Sequence, residues 1–131
     1  MTDDYRDVVI EENYREILGE GVPVTVNFLG KIETSFDYTE FPAIIGVIPA
    51  GRRIFKAALI IDESFYGNAI ITVGDTDGHG RLMNGQENDA SQMNIYVAEP
   101  NCKFDSNTQI YIYLESGNPT QGTGTIIIYF S

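Results

Sequence analysis

The chain has 131 residues, enough for one domain that buries about two-thirds of its unfolded surface without covalent staples. Eight Lys and Arg stand against nineteen Asp and Glu, a net charge of −11, which argues against binding to nucleic acid or to an anionic membrane surface. A single cysteine, Cys102, rules out an intrachain disulfide framework.

Ile (17) and Val (8) far outnumber Leu (5), and Phe plus Tyr total 15. Branched and aromatic side chains suit a pleated, half-buried surface, whereas Leu and Ala, which favour helices, are scarce. Thirteen Gly, nine Asn and five Pro supply many turns. The composition predicts an all-β fold. The longest apolar runs, such as Ile126–Phe130, hold about five residues, too few to span a bilayer. The opening Met1–Arg6 is acidic and lacks the basic and apolar regions of a secretion signal.

Residues 1–21 differ from the rest. Val9, Ile10, Asn13, Tyr14, Ile17 and Leu18 recur with helical spacing, Asp3 or Asp4 suits an N-cap, and Gly19 with Gly21 suits a stop. Three readings stay open: a short helix packed on the domain, a frayed acidic terminus, or an acidic arm that docks on a neighbouring subunit. Residues 1–40 hold ten acids and three bases, so the acidity is concentrated at the front.

From Val22 the period becomes two, and residues 22–131 are expected to form one β-sandwich domain. Val22, Val24, Val26 and Phe28 share one face of the first strand, and a weaker strand follows at Lys31–Phe36. Ile44–Ile48 ends at Pro49-Ala50-Gly51, which predicts a type I turn with Pro second and Gly fourth. Arg53–Asp62 sets Phe55, Ala57, Leu59 and Ile61 against Ile54, Lys56, Ala58 and Ile60. Gly67-Asn68 suits a tight return into Ala69–Gly74. A Gly-, Asp- and Asn-rich stretch over 75–92 contains one short strand candidate at Arg81–Met83, and Met93–Ala98, Thr108–Glu115 and Gly124–Phe130 complete about eight strands. No helical crossover lies between them, which predicts an antiparallel two-sheet sandwich of jelly-roll type. The last two strands are apolar on both faces. Tyr111 and Tyr113, and Ile127 and Tyr129, alternate with core residues, so they are buried either by another part of the chain or by another subunit.

No catalytic constellation emerges. Asp75-Thr76-Asp77-Gly78-His79-Gly80 resembles the opening of a calcium loop, but the twelfth place, where a bidentate Glu belongs, is Gln86 and neither flank reads as a helix. His79 is the only histidine, which precludes a multi-histidine metal site within one chain. Cys102 has no partner pattern for a nucleophile, and Gly122-Thr123-Gly124 lacks the lysine and helix of a phosphate loop. No metal and no cofactor is expected. Tyr66, Tyr96, Tyr111 and Tyr113 suit subunit contacts or stacking on sugars.

Several segments, in this order and spacing, resemble a known domain: Gly46–Gly51, Ile70–Asp75, Arg81-Leu82-Met83, Tyr96-Val97, Thr108–Ile112 and Gly122–Tyr129. From about Ile44 onward the chain resembles a small β-sandwich that recurs among virion proteins of tailed bacteriophages, of the capsid decoration or head-fibre type. The resemblance implies a structural, oligomeric virion protein with no catalytic residues, made in the host cytoplasm and carried on the capsid exterior. The implied partners are the major capsid protein lattice and the chain itself, as a homotrimer. Val9, Ile10, Tyr14, Ile17 and Leu18 are the expected capsid or neighbour contacts, and Tyr111, Tyr113, Ile127 and Tyr129 the expected intersubunit contacts. The alternative is a receptor- or glycan-binding domain of a phage fibre or tail, using loops 62–68 and 75–89.

Overall fold

The computed structural model describes residues 30–131. The predicted helix within 1–21 and the predicted strand from Val22 to Leu29 lie outside the described residues. Within them, regular structure is entirely β: β1 (Gly30–Asp37), β2 (Ala43–Ile48), β3 (Arg53–Glu63), β4 (Ile70–Gly74), β5 (Ile95–Ala98), β6 (Cys102–Lys103), β7 (Thr108–Ser116) and β8 (Thr123–Phe130).

The strands form two antiparallel sheets. One runs β1-β8-β3-β5, with the two-residue β6 also pairing β3; the other runs β2-β7-β4. The chain passes from one sheet to the other at nearly every connection. Beyond β4, Met83 makes an antiparallel bridge to Val73 and extends that edge of the smaller sheet. This alternation is that of a jelly roll, as the sequence predicted.

The core lies between the sheets. Ile110 and Ile112 of β7 face Ile126 and Ile128 of β8, all four fully buried, each contributing about 1.5–3 kcal/mol relative to exposure. Phe36, Phe41 and Phe65 close one end, with ring centroids 5.6–6.1 Å apart. Gly124 makes that end possible: a Cβ there would lie 2.7 Å from the Phe36 ring and 2.9 Å from the Ile60 carbonyl oxygen.

Three local readings differ from the structure. The Pro49 turn falls one residue later: Arg52 N–H donates to the Pro49 carbonyl at 3.3 Å, and Gly51 takes the third position at φ 80°, the type II arrangement that favours glycine. Gly67 and Asn68 both adopt positive φ as expected, yet β3 and β4 belong to different sheets, so the bend is a crossover and not a hairpin. In β3 a register shift between Ile54 and Lys56 puts Ile54 in the core with Ala57, Leu59 and Ile61. The bulge inserts one residue and so breaks the strict alternation.

Candidate functional site

Each sheet has a second face, turned away from the core, and the two differ. On the small sheet, Ile44 lies opposite Tyr111 and Val47 opposite Gln109, and Ile44 and Val47 are 54% and 47% exposed. Tyr113 continues this face along β7. Its ring stacks on His79 at 3.7 Å, only 9° from parallel. Glu115 Oε1 ties the pair to the sheet, lying 3.0 Å from His79 Nδ1 and accepting a 2.9 Å hydrogen bond from Thr72 Oγ1. Burial raises the Tyr113 hydroxyl above its ordinary value, with Tyr111, Asp75 and Glu115 adding to the rise. The Tyr111 hydroxyl donates to Gln109 Oε1 at 2.8 Å. The result is a fixed aromatic and aliphatic strip open to solvent.

The outer face of the large sheet is dry. Ile127, Ala58 and Tyr129 are 0%, 1% and 2% exposed and pack with Ile60 and Val97. The β3–β8 register sets Ala58 beside Ile127 and Lys56 beside Tyr129. Lys56 is fully buried, with Nζ 2.8 Å from Glu99 Oε1. Lys31 Nζ lies 5.9 Å from the Tyr129 ring centroid, within cation–π range. The four expected intersubunit residues therefore sit on opposite faces: Tyr111 and Tyr113 on the open one, Ile127 and Tyr129 on the dry one. Val9, Ile10, Tyr14, Ile17 and Leu18 lie outside the described residues.

The calcium-like loop is organised by its own groups. Asp75 Oδ1 accepts from Gly78 N–H at 2.6 Å, and Arg81 Nε donates to Asp75 Oδ2 at 3.0 Å. Both oxygens of the first carboxylate in the pattern are thus engaged, one of them by a cation. No group of three or more metal-ligating side chains occurs among the described residues. Cys102 is half-buried in β6, and burial raises its thiol above the ordinary value, which lowers the thiolate fraction a nucleophile needs.

Next to this loop lies an open groove of about 620 Å³. Asp75, Arg81, Lys103, Asp105, Asn107 and Tyr111 contribute to its lining. A smaller hollow of about 360 Å³ gathers Tyr66, Asn68, Asp89 and Ser91. The groove draws on residues 103–107, where the sequence suggested no element, and on Thr108, Gln109 and Tyr111 of the expected strand. Its one legible sign was the polar run Asp105-Ser106-Asn107 between β6 and β7.

No family model and no curated protein matches this chain. Solved structures do. A chain in the acidic stable capsid structure of Helicobacter pylori bacteriophage KHP30 superposes with a TM-score of 0.64 at 12% identity, over 77% of this chain and 85% of that one. A chain in the capsid asymmetric unit of cyanophage Pam1 superposes with a TM-score of 0.59 at 14% identity, over 86% and 94%. The fold is one found in phage capsids. At these identities the likeness is one of architecture, and it agrees with the virion β-sandwich that the sequence resembles.

Proposed function

We propose that this chain is a non-enzymatic structural protein of a phage particle, a decoration subunit that binds the outside of the head and stabilises the shell. The observation that carries the reading is the shared fold with chains in two phage capsid structures, over most of each chain. A subunit that contacts several capsid proteins only in the assembled lattice stabilises that lattice by linkage. Several contacts per oligomer add avidity when geometry lets them engage together. We assign self-association, as a homotrimer, to the open face of the small sheet. Ile44 and Val47 beside Tyr111 and Tyr113 offer the apolar and aromatic surface that subunit contacts favour. The test is binding of the purified chain to undecorated heads. Saturable binding that raises the melting temperature of the shell is expected; no binding would contradict the reading.

One observation favours a second reading, a receptor- or glycan-binding domain. The open groove combines the Tyr111 side chain with amide, carboxylate and cationic groups, the mixture that sugar hydroxyls and ring faces engage. A glycan array separates the two: selective binding that Tyr111→Ala removes favours the second.

A further inference from the structure

Residues 30–131 hold twelve acids and six bases, so a base there has no shortage of carboxylates to pair with. Arg53 and Lys103 nevertheless form no ion pair among the described residues. They stand directly opposite one another where β3 pairs β6, which puts both side chains on one face with Cβ atoms about 5 Å apart. Like charges so placed repel until an anion answers them. Arg53 is also held in position. Its Nη1 donates to Asn101 Oδ1 at 3.0 Å, and Asn101 adopts φ 46°, a left-handed conformation uncommon outside glycine. Burial raises the Cys102 thiol while Arg81 and Arg53 act to lower it, so the two guanidinium groups flank β6. Lys103 and Arg81 line the groove of about 620 Å³, with Arg53 beside Lys103 at its rim. Arg81 donates Nε to Asp75, and its two terminal nitrogens make no hydrogen bond among the described residues. Asp77 and Asp105 line the same groove and are likewise without an ion pair.

We infer that this groove takes a carboxylated sugar, a uronic-acid unit of an anionic polysaccharide. Its carboxylate sits on Arg53 and Lys103, its hydroxyls donate to Asp77 and Asp105, and its ring lies against Tyr111. This narrows the glycan-binding reading, on which it rests, to one ligand class. Each part of the ligand answers one feature of the groove. A neutral sugar leaves the opposed cations of β3 and β6 unanswered. A simple anion brings no donors to the two free carboxylates. A nucleic acid brings a negative charge for about every 1.7 Å of duplex against those carboxylates and a chain of net charge −11. A uronate carries one carboxylate per sugar, which an arginine grips with charge-assisted hydrogen bonds, and several hydroxyl donors. The groove's volume also falls within the roughly 300–1,000 Å³ usual for small-molecule sites.

An array of galacturonate, glucuronate and mannuronate oligosaccharides, printed beside their methyl esters and neutral counterparts, tests it with the full chain. Binding should be confined to the free acids. Methyl esterification removes the charge and keeps the sugar, and in calorimetric titration it should weaken binding about tenfold or more. The double variant Arg53→Gln, Lys103→Gln should lose the preference for the acid over its ester while its urea midpoint stays near that of wild type. If that variant unfolds, the comparison of acid with ester on wild type decides. Equal affinity for acid and ester, or binding to neutral sugars alone, would overturn the inference and leave the glycan-binding reading standing. Binding to no sugar on the array would overturn both.

Discussion

The two outer faces of this sandwich are built from similar residues and behave oppositely. On the small sheet Ile44 and Val47 remain about half exposed beside Tyr111 and Tyr113; on the large sheet Ile127 and Tyr129 are sealed. Both faces alternate with core residues along β7 and β8, so hydrophobicity alone does not decide between them. What differs is the solvent each face meets: Ile44 and Val47 are 54% and 47% exposed, Ile127 and Tyr129 0% and 2%. Substitutions on the dry face are therefore expected to act on folding, and those on the open face on the self-association proposed for it.

That division predicts a graded series of effects. The largest is at Ile127. Ile127→Asp places an unpaired carboxylate in a sealed site and should cost several kcal/mol or abolish folding, whereas Ile44→Asp should change stability by about 0.5 kcal/mol or less, both read by urea unfolding. Equal losses at the two positions would break the distinction.

Next is the buried ammonium. Glu99→Gln removes a charge partner of Lys56 and should cost about 1–3 kcal/mol, moderated because the Glu99 side chain is 46% exposed. Lys56→Met removes the buried charge along with its need for a partner and should cost less. The reverse order would show that Lys56 is not desolvated as described.

The open face should respond in assembly and not in folding. Light scattering should give a trimer mass for wild type at micromolar concentration. The double variant Ile44→Asp, Val47→Asp should scatter as a monomer with its unfolding midpoint nearly unchanged. A monomeric wild type would remove the proposed role of this face.

The smallest effect is one of pH, at an exposed turn. Thr39 donates to Asp37 from its hydroxyl at 2.5 Å and from its amide at 2.8 Å, which holds the carboxyl below its ordinary value. The folded state thus binds fewer protons here than the unfolded chain. The stabilisation is complete above the ordinary carboxylate range and is lost as pH falls through the lowered value. Asp37→Asn should be slightly less stable than wild type at neutral pH, and the gap should close on acidification. A gap that persists at low pH would remove the carboxylate as its cause.

Much of this architecture was legible in the residues. The period-two pattern placed β1, β2, β3, β4, β7 and β8 to within one or two residues, and Ile110, Ile112, Ile126 and Ile128 were assigned to the core, where they lie. Strand period follows from the backbone itself, so it survives without tertiary knowledge. Three things were not legible, for separate reasons. Cys102 and Lys103 are too short a strand to show any period, and they pair only because β3 extends past β5. The crossover at Gly67-Asn68 looked like a hairpin because turn chemistry sets local φ but not the sheet that the next strand joins. The difference between the two outer faces was hidden because Tyr111 and Tyr129 read alike in sequence, and burial is a property of what lies above them. The groove beside Asp75 was missed for a related reason: residues 75–81 and 103–109 are far apart in the chain and meet only in the fold.

The role proposed for this sandwich, a decoration subunit of a phage head, fixes where it must sit on the particle. A reconstruction of the particle that carries the chain tests it most directly. Density for the two-sheet fold is expected on the outer surface of the head, in contact with several capsid subunits, with the small-sheet faces of three copies turned toward one another. Density for the same fold at a fibre or tail tip, with none on the head, would contradict it.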